Sequence, residues 1–239
     1  MHNPQCLAET HLRADQSMLR IKICGITRIS DALDTVDAGA DAIGLNFYPE
    51  SKRYVTPATA QQIVAAVGDS VACVGVFVNS PASEVNSIAE TLGLDWVQLH
   101  GNEPPEFLIQ IGEKLKVLRV YRVGPEGMAP VIADLAACES AGKLPNAILI
   151  DSAVPGEYGG TGQKVSELFL ARDKINSSDL FSSLPVILAG GLTPENVAES
   201  ILQSRPDGVD VASGVESAPG IKDPALIKSF VTEARQALG

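Results

Sequence analysis

The sequence has few aromatic residues and no long apolar run. Aromatic side chains make up 5% of the 239 residues, so a folded core must consist mainly of Ala, Val, Ile and Leu. No apolar stretch approaches the length that spans a bilayer. The first twenty residues also lack the apolar segment of a secretory signal. These absences predict a globular protein that neither spans a membrane nor is secreted.

Cysteines are scarce and widely separated. Cys6, Cys24, Cys73 and Cys138 form no CxxC pair, and no histidine stands at a zinc-binding spacing from them. The pattern is typical of reduced thiols in a cytoplasmic protein, and not of a disulfide framework or a metal site. We therefore expect a cytoplasmic location and no bound metal.

Positive charge is scarce as well. The chain has 29 acidic and 18 basic residues and a formal net charge of −11. Nucleic-acid-binding proteins usually carry a basic excess, and an anionic membrane surface would repel this chain. The charge predicts a small-molecule partner, with neither a nucleic acid nor a membrane as partner.

Eight short apolar runs are distributed along the chain, beginning near residues 21, 42, 72, 96, 116, 147, 185 and 208. Their mean separation of about 27 residues is close to one βα unit. Apolar residues in succession are typical of strands buried on both faces of a parallel sheet. The pattern predicts one (β/α)8 TIM barrel in the α/β class over residues 20–239. Residues 1–19 are expected to form a loosely ordered extension.

A doubly wound open sheet is the alternative fold. Such a sheet normally carries a GxGxxG phosphate loop after its first strand, and none follows Ile26. The barrel is therefore the favoured architecture.

Two candidate acid–base residues close predicted strands. Functional residues of a barrel lie at the carboxyl ends of its strands. Cys24 closes the first strand and Asp151 the sixth, which are three steps apart in a ring of eight, so the two could act on opposite sides of one small substrate. Each also has a plainer interpretation, Cys24 as a small buried apolar residue and Asp151 as a cap of the next turn.

Small residues follow the last two predicted strands. Gly190 and Gly191 come after the seventh strand, before a Thr193-Pro194 pair that predicts a helix start. Ser213 and Gly214 come after the eighth. Backbone N–H groups can approach an anion closely at such loops, and these are the usual phosphate-binding loops of barrels. The pattern favours a phosphate or phosphosugar ligand; tight turns without a ligand are the alternative.

Four further residues are candidates for substrate binding. Arg53, after the second strand, could hold a carboxylate through two parallel hydrogen bonds, or could be a solvated loop residue. His100 closes the fourth strand and is either structural or part of the site. Gly160 and Gly162 belong to a loop that could close over a ligand but lacks the lysine of a P-loop.

Several strings of the sequence, in order, resemble phosphoribosylanthranilate isomerases. They are IKICGIT at 21–27, DAIGLNFYPESKRYV at 41–55, VGVFVN at 74–79, VQLHG at 97–101, LIDSAVPGEYGGTG at 149–162, ILAGGLTPENV at 187–197 and GVDVASGVE at 208–216. The resemblance covers essentially residues 20–235. It implies a TIM-barrel isomerase of tryptophan biosynthesis that performs an Amadori rearrangement of N-(5-phosphoribosyl)anthranilate.

The resemblance also implies roles for particular residues. Asp151 would be the general acid that opens the sugar ring, and Cys24 the general base. Arg53 would hold the anthranilate carboxylate, and the phosphate would lie on Gly190, Gly191, Ser213 and Gly214. His100, Gly160 and Gly162 are assigned to substrate binding too. No metal or cofactor is implied, and we expect a monomer, with a homodimer as the alternative.

One loop departs from the family pattern, and three other functions compete. A lysine is expected after GGTG, whereas Gln163 stands there and Lys164 follows. An indole-3-glycerol-phosphate synthase would need a strand lysine, and Lys22 is the one lysine in an early strand. A metal-dependent epimerase would need a His/Asp cluster, of which His100 alone is available. A non-catalytic phosphosugar-binding barrel would need neither Cys24 nor Asp151.

Overall fold

The computed structural model describes residues 18–124, 126–151 and 184–239. In those ranges the chain forms a closed barrel of eight parallel strands that follow one another in sequence order. The prediction of a TIM barrel is therefore confirmed. The strands are β1 (Ile21–Cys24), β2 (Ala42–Asn46), β3 (Ala72–Phe77), β4 (Trp96–Leu99), β5 (Lys116–Arg122), β6 (Ala147–Asp151), β7 (Val186–Ala189) and β8 (Gly208–Val211).

The barrel closes by pairing of its first and last strands. Ile21 lies opposite Val209 in this pair, and Lys22 lies opposite Asp210. All other pairs are between consecutive strands and all are parallel. Because the strands run in one direction, their carboxyl ends meet at one mouth.

Helices lie between the strands and cover the outside of the barrel. They are α1 (Ile29–Asp37), α2 (Pro57–Val67), α3 (Ala82–Leu92), α4 (Ala129–Ser140), α5 (Val197–Ser204) and α6 (Pro224–Leu238). A 3₁₀ helix, Pro105–Gln110, follows β4. A short antiparallel hairpin of β9 (Glu216–Ala218) and β10 (Ile221–Lys222) follows β8. Among these described elements, none is a helix long and apolar enough to cross a membrane.

Helix starts follow local side-chain chemistry. At α2, the Thr56 side chain accepts a hydrogen bond from the backbone N–H of Thr59 at 3.1 Å, ahead of a first-turn proline. The predicted start at Thr193-Pro194 is wrong, since α5 begins at Val197. The Asn196 carboxamide accepts from Thr193 N at 2.8 Å and donates to Gly191 O at 3.0 Å. These bonds hold residues 193–196 in a turn before the helix.

Strand alternation divides the apolar side chains into two layers. One layer, which includes Ile21, Ile43 and Leu45, packs between strands and helices. The other fills the barrel interior with small and aliphatic side chains and one indole; its buried members are Leu19, Ala42, Ala72, Val74, Trp96, Leu118, Ala147, Leu149, Ile187 and Ala189. The low aromatic content of the sequence thus suits a narrow interior.

Candidate active site

The mouth of the barrel brings the predicted acid–base residues onto one surface. Cys24 is the last residue of β1 and Asp151 the last residue of β6, and both are partly exposed. In the closed ring β7 and β8 separate their strands, so the two residues enter the mouth from well-separated positions on its rim.

Cys24 lies in a small space that a glycine keeps open. A Cβ atom at Gly44, on the neighbouring strand β2, would lie 2.7 Å from Cys24 Sγ and 3.1 Å from Lys22 Nζ. Any larger residue at position 44 would therefore displace the thiol or the ammonium group. Gly44 is part of what brings these two groups together.

Charges of both signs act on the Cys24 thiol. Burial raises the pKa of Cys24 above its ordinary value. The positive charges of Lys22 and Lys222 lower the pKa, and the negative charge of Asp210 raises it. The thiolate is thus disfavoured by burial and favoured by two cations.

The Arg53 loop is shaped by its own side chains. Asn46 Oδ1 accepts from Tyr48 N at 2.9 Å, and Ser51 Oγ accepts from Arg53 N at 3.1 Å. The stem of Arg53 then crosses the backbone of Gly25, where φ is +76° and a Cβ would collide with Arg53 Cδ. Glycine is therefore required beside Cys24 for Arg53 to reach the mouth.

An ion-pair network fixes the Arg53 guanidinium. Its Nε and Nη2 donate to the two carboxylate oxygens of Glu216 at 2.6 and 2.7 Å. Lys222 Nζ binds the same carboxylate at 3.0 Å and donates to Ala212 O at 2.8 Å. Nη1 of Arg53 has no hydrogen-bond partner among the described residues. The guanidinium therefore has one edge bound and one available.

His100 lies on the same rim and is neutral at ordinary pH. Burial lowers the pKa of its imidazole, and the nearby Arg122 charge lowers it further. Gln98 Nε2 lies 3.1 Å from His100 Nδ1. With the amide nitrogen donating to Nδ1, the ring proton lies on Nε2, so that nitrogen is available as a hydrogen-bond donor.

The loops after β7 and β8 form one joined surface. Gly190 and Gly191 have φ values of +97° and +65°, in the left-handed region that favours glycine. A Cβ at Gly214 would collide with the carbonyl oxygen of Leu192, so the second loop approaches the first at backbone distance. Ser213, which precedes Gly214, begins a one-turn 3₁₀ helix. All four predicted phosphate-loop residues thus lie in two neighbouring loops.

Two of the predicted binding residues cannot be placed. Gly160 and Gly162, with Gln163 and Lys164, lie outside the described residues.

A cavity of about 750 Å³ adjoins the mouth at the ends of β4 and β5. Its lining includes His100, Arg122, Tyr121 and Asp134, but neither Cys24 nor Asp151. The cavity therefore does not contain the acid–base pair, although its lining residue Arg122 lies opposite Asp151 on the neighbouring strand.

Sequence reasoning missed several charged residues around Cys24. Glu216, Lys222 and Asp210 were not singled out, and Lys22 was considered only as the lysine of a competing function. Strand alternation gave a signal for Lys22, because residues 22 and 24 of one strand share a face. Glu216, Lys222 and Asp210 can be recognised as neighbours of Cys24 only in the folded structure, where β8 and the β9–β10 hairpin lie beside β1.

The fold and this site define a (β/α)8-barrel enzyme with ionisable side chains at its mouth. A family model described as N-(5'phosphoribosyl)anthranilate (PRA) isomerase matches residues 21–233. The chain belongs to this family and is an isomerase of tryptophan biosynthesis.

Individual relatives agree with the family match. The N-(5'-phosphoribosyl)anthranilate isomerase of Geobacter sulfurreducens is 43% identical over 218 residues, which is 91% of this chain and 99% of that protein. That of Myxococcus xanthus is also 43% identical, over 91% of this chain and 96% of its own length. Among solved structures, phosphoribosyl anthranilate isomerase from Thermotoga maritima is 38% identical in sequence to this chain, with a TM-score of 0.77. The match covers 92% of this chain and 100% of that chain.

Proposed function

We propose that this isomerase uses Asp151 as general acid and Cys24 as general base to convert N-(5-phosphoribosyl)anthranilate into 1-(2-carboxyphenylamino)-1-deoxyribulose 5-phosphate. The observation that carries the proposal is the position of these two residues at the ends of β6 and β1, entering one mouth from strands that β7 and β8 separate. A substrate lying across the mouth can meet an acid on one side and a base on the other.

Ring opening is the first step. Protonated Asp151 donates its proton to the furanose ring oxygen, and the bond between C1′ and that oxygen breaks. The lone pair of the anthranilate nitrogen forms the new C1′=N bond of a protonated Schiff base. The substrate's own nitrogen therefore accepts the electrons of the next step, and the chemistry needs no cofactor.

Proton abstraction from C2′ is the second step. The Cys24 thiolate takes the C2′ proton, and the C–H electron pair forms a C1′=C2′ bond while the C=N electrons return to nitrogen. The enolamine becomes the ketone when the C2′ hydroxyl loses its proton to the Asp151 carboxylate and C1′ gains one from the Cys24 thiol. Both residues thereby regain their starting protonation states.

Three groups at the mouth would hold the substrate. The available edge of Arg53, with Nη1 and the second N–H of Nη2, fits a carboxylate as a pair of parallel hydrogen bonds. Backbone N–H groups of Gly190, Gly191, Ser213 and Gly214 would bind the phosphate, and His100 Nε2 would donate to the substrate. Gly160 and Gly162 would contribute from the loop after β6.

A related crystal structure supports this substrate class. Phosphoribosyl anthranilate isomerase has been crystallised in complex with reduced 1-(o-carboxyphenylamino)-1-deoxyribulose 5-phosphate, in a chain that is 37% identical to this one with a TM-score of 0.73. That ligand combines a carboxylate, an aryl amine and a sugar phosphate, for which the mouth described above has matching groups.

Turnover of N-(5-phosphoribosyl)anthranilate by the purified chain tests the proposal. We expect Cys24→Ser and Asp151→Asn each to lower kcat/KM by about 10²- to 10⁴-fold, the usual range for loss of a general acid or base. Cys73→Ser is the matched control: Cys73 is 2% exposed, and burial holds its pKa at about 12. Turnover within about threefold of wild type in either active-site variant would remove that residue from the mechanism.

The working form of the enzyme is proposed to be a cytoplasmic monomer, with a homodimer as the alternative. A reducing compartment such as the cytoplasm keeps thiols unpaired, and Cys24, Cys73 and Cys138 are all free. One relative from Thermotoga maritima is described as dimeric, so sedimentation velocity across a range of concentrations is the measurement that distinguishes the two forms.

A further inference from the structure

A charged pair lies inside the barrel, where the other strands contribute mostly apolar side chains. The Lys22 side chain is fully buried, and its Nζ contacts Asp210 Oδ1 at 2.6 Å. The two residues face each other where β1 closes onto β8. Apolar residues of similar volume often serve stability as well as a buried ion pair does. The position of this pair therefore suggests a role other than packing.

The pair lies directly beneath the proposed base. Lys22 and Cys24 alternate along β1 and so share the interior face. The space opposite Gly44 is bordered by Cys24 Sγ and Lys22 Nζ together. The positive charge of Lys22 is thus applied to the sulfur from inside the barrel, on the side away from solvent.

Asp210 keeps the ammonium charged in this buried position. Burial alone lowers the pKa of Lys22, but Asp210, and after it Cys24, together more than compensate, so that the pKa of Lys22 is raised. Asp210 also fixes the direction of the side chain. A neutral amine would carry no charge to act on the sulfur, and a mobile amine would not hold its charge beside the sulfur.

Other charged groups reach Cys24 from the surrounding elements. Lys222 on β10 and Arg53 from the loop after β2 also interact electrostatically with the sulfur, and both are bound to Glu216. Across the interior, the imidazole of His100, just after β4, is also within reach of the Lys22 and Asp210 charges. Among the cations, Lys22 has the largest effect on the pKa of Cys24.

We propose that Lys22, oriented by Asp210, is a positioning residue that stabilises the Cys24 thiolate needed to take the C2′ proton. The proposal rests on the role of Cys24 given above. When the proton moves from C2′ to Sγ, the thiolate charge disappears, while Lys22 keeps its proton and remains neutralised by Asp210. The pair therefore supports the base without taking part in the proton transfer.

The test is the pH dependence of thiolate formation in Lys22→Met. Thiolate is followed by ultraviolet absorbance, as the difference between a protein and its counterpart carrying Cys24→Ser. We expect the midpoint to rise by about one to three pH units relative to wild type, the size of effect that an adjacent opposite charge produces. We also expect kcat/KM near neutral pH to fall at least about tenfold and to recover at higher pH, because each unit lowers the thiolate fraction about tenfold.

Two further variants keep the test decisive. Lys22→Met leaves Asp210 buried without its partner, so a double variant, Lys22→Met with Asp210→Leu, removes the whole pair. It should fold at least as well as wild type, and its thiolate midpoint should still rise, since Lys22 affects the pKa of Cys24 more than Asp210 does. Lys116→Met is the control: Lys116 lies over the Trp96 ring at 5.3 Å, on β5, and its removal should leave the midpoint unchanged.

The outcomes separate this inference from the role of Cys24 itself. If Cys24→Ser retained turnover, the proposed mechanism would fail. If Cys24→Ser were inactive while both Lys22 variants kept the wild-type thiolate midpoint and pH profile, the mechanism would stand and Lys22 would be only structural.

Discussion

At the scale of single residues, the site depends on ion pairs that hold other side chains in place. Arg53 is oriented by Glu216, which is itself bound by Lys222. Glu216 is 5% exposed, and its two cations lower the pKa of its carboxyl group against the opposing effect of burial. The Glu216 carboxylate thus stays ionised and fixes the orientation of the Arg53 guanidinium, which we propose holds the substrate carboxylate.

Glu216→Gln should raise KM about tenfold with a smaller effect on kcat. The amide keeps the size of the side chain but loses a charge-assisted pair of hydrogen bonds, and tenfold corresponds to about 1.4 kcal/mol. A rise in KM alone is the sign of lost ground-state binding. Steady-state kinetics on the purified variant, with the exposed Glu90→Gln as control, measures both constants. A fall in kcat with unchanged KM would place Glu216 in the chemical steps instead.

These residue contacts are the least predictable part of the site from sequence. Cys24, Asp151 and Arg53 could be singled out because each stands at or just after the end of an apolar run. The pairing of Lys22 with Asp210 joins residues 188 positions apart, and that of Arg53 with Glu216 joins residues 163 apart. Neither follows from local pattern, because both depend on how β8 and the β9–β10 hairpin meet β1.

At the scale of elements, strands were easier to predict than helix starts. Seven of the eight predicted strand starts are those observed, and β7 begins at Val186, one residue late. Apolar runs determine strands because burial on both faces requires them. A helix start depends on local hydrogen bonds, and near Thr193 the Asn196 side chain bonds both Thr193 N and Gly191 O, which holds residues 193–196 in a turn ahead of α5.

The loops after β7 and β8 carry a prediction about the phosphate. Gly191→Asp should raise KM at least tenfold, while Gly191→Asn should raise it much less. No atom of the described residues lies within 4 Å of a Cβ built at position 191, and Asn and Asp both tolerate left-handed backbone, so both variants should fold. Their difference is then electrostatic: two unit charges about 4 Å apart repel by about 4 kcal/mol at an effective dielectric near 20.

KM and competitive inhibition by inorganic phosphate should be measured for wild type and both Gly191 variants, with the melting temperature as control. If Gly191→Asp and Gly191→Asn changed KM and the inhibition by inorganic phosphate equally, the phosphate group of the substrate would bind away from these loops.

At the scale of the whole molecule, the residues just before β1 contact two other parts of the barrel. These are the amino-terminal side of the strands and the end of the last helix, α6. Leu19 is 4% exposed and packs with Trp96, Ala147 and Ile187 at the amino-terminal side of the strands. Arg20 Nη2 donates to the carbonyl oxygen of Leu238 at 3.0 Å, which joins β1 to the end of α6. The family match begins beside these residues, at residue 21.

A chain that begins at Met18 should keep the melting temperature and activity of the full chain. Residues 1–17 are mostly polar in sequence and can bury little apolar area. Adding Leu19→Ala to the shortened chain should cost about 2–5 kcal/mol, because it deletes a buried leucine. Calorimetry compares the three proteins. A fall of more than about 4 °C on shortening alone would reveal packing by residues 1–17.

The barrel architecture was predictable from sequence, because eight regularly spaced apolar runs leave few ways to close a parallel sheet. The central claim is the assignment of the general acid to Asp151 and of the general base to Cys24. It is tested most directly by the kinetic isotope effect on kcat/KM with deuterium at C2′ of the substrate. If Cys24 removes that proton, Cys24→Ser slows the C–H step and should increase the isotope effect above the wild-type value. If Asp151 opens the ring, Asp151→Asn slows a step before C–H cleavage and should reduce the effect toward unity. An increase in Asp151→Asn, or no change in Cys24→Ser, would contradict the assignment.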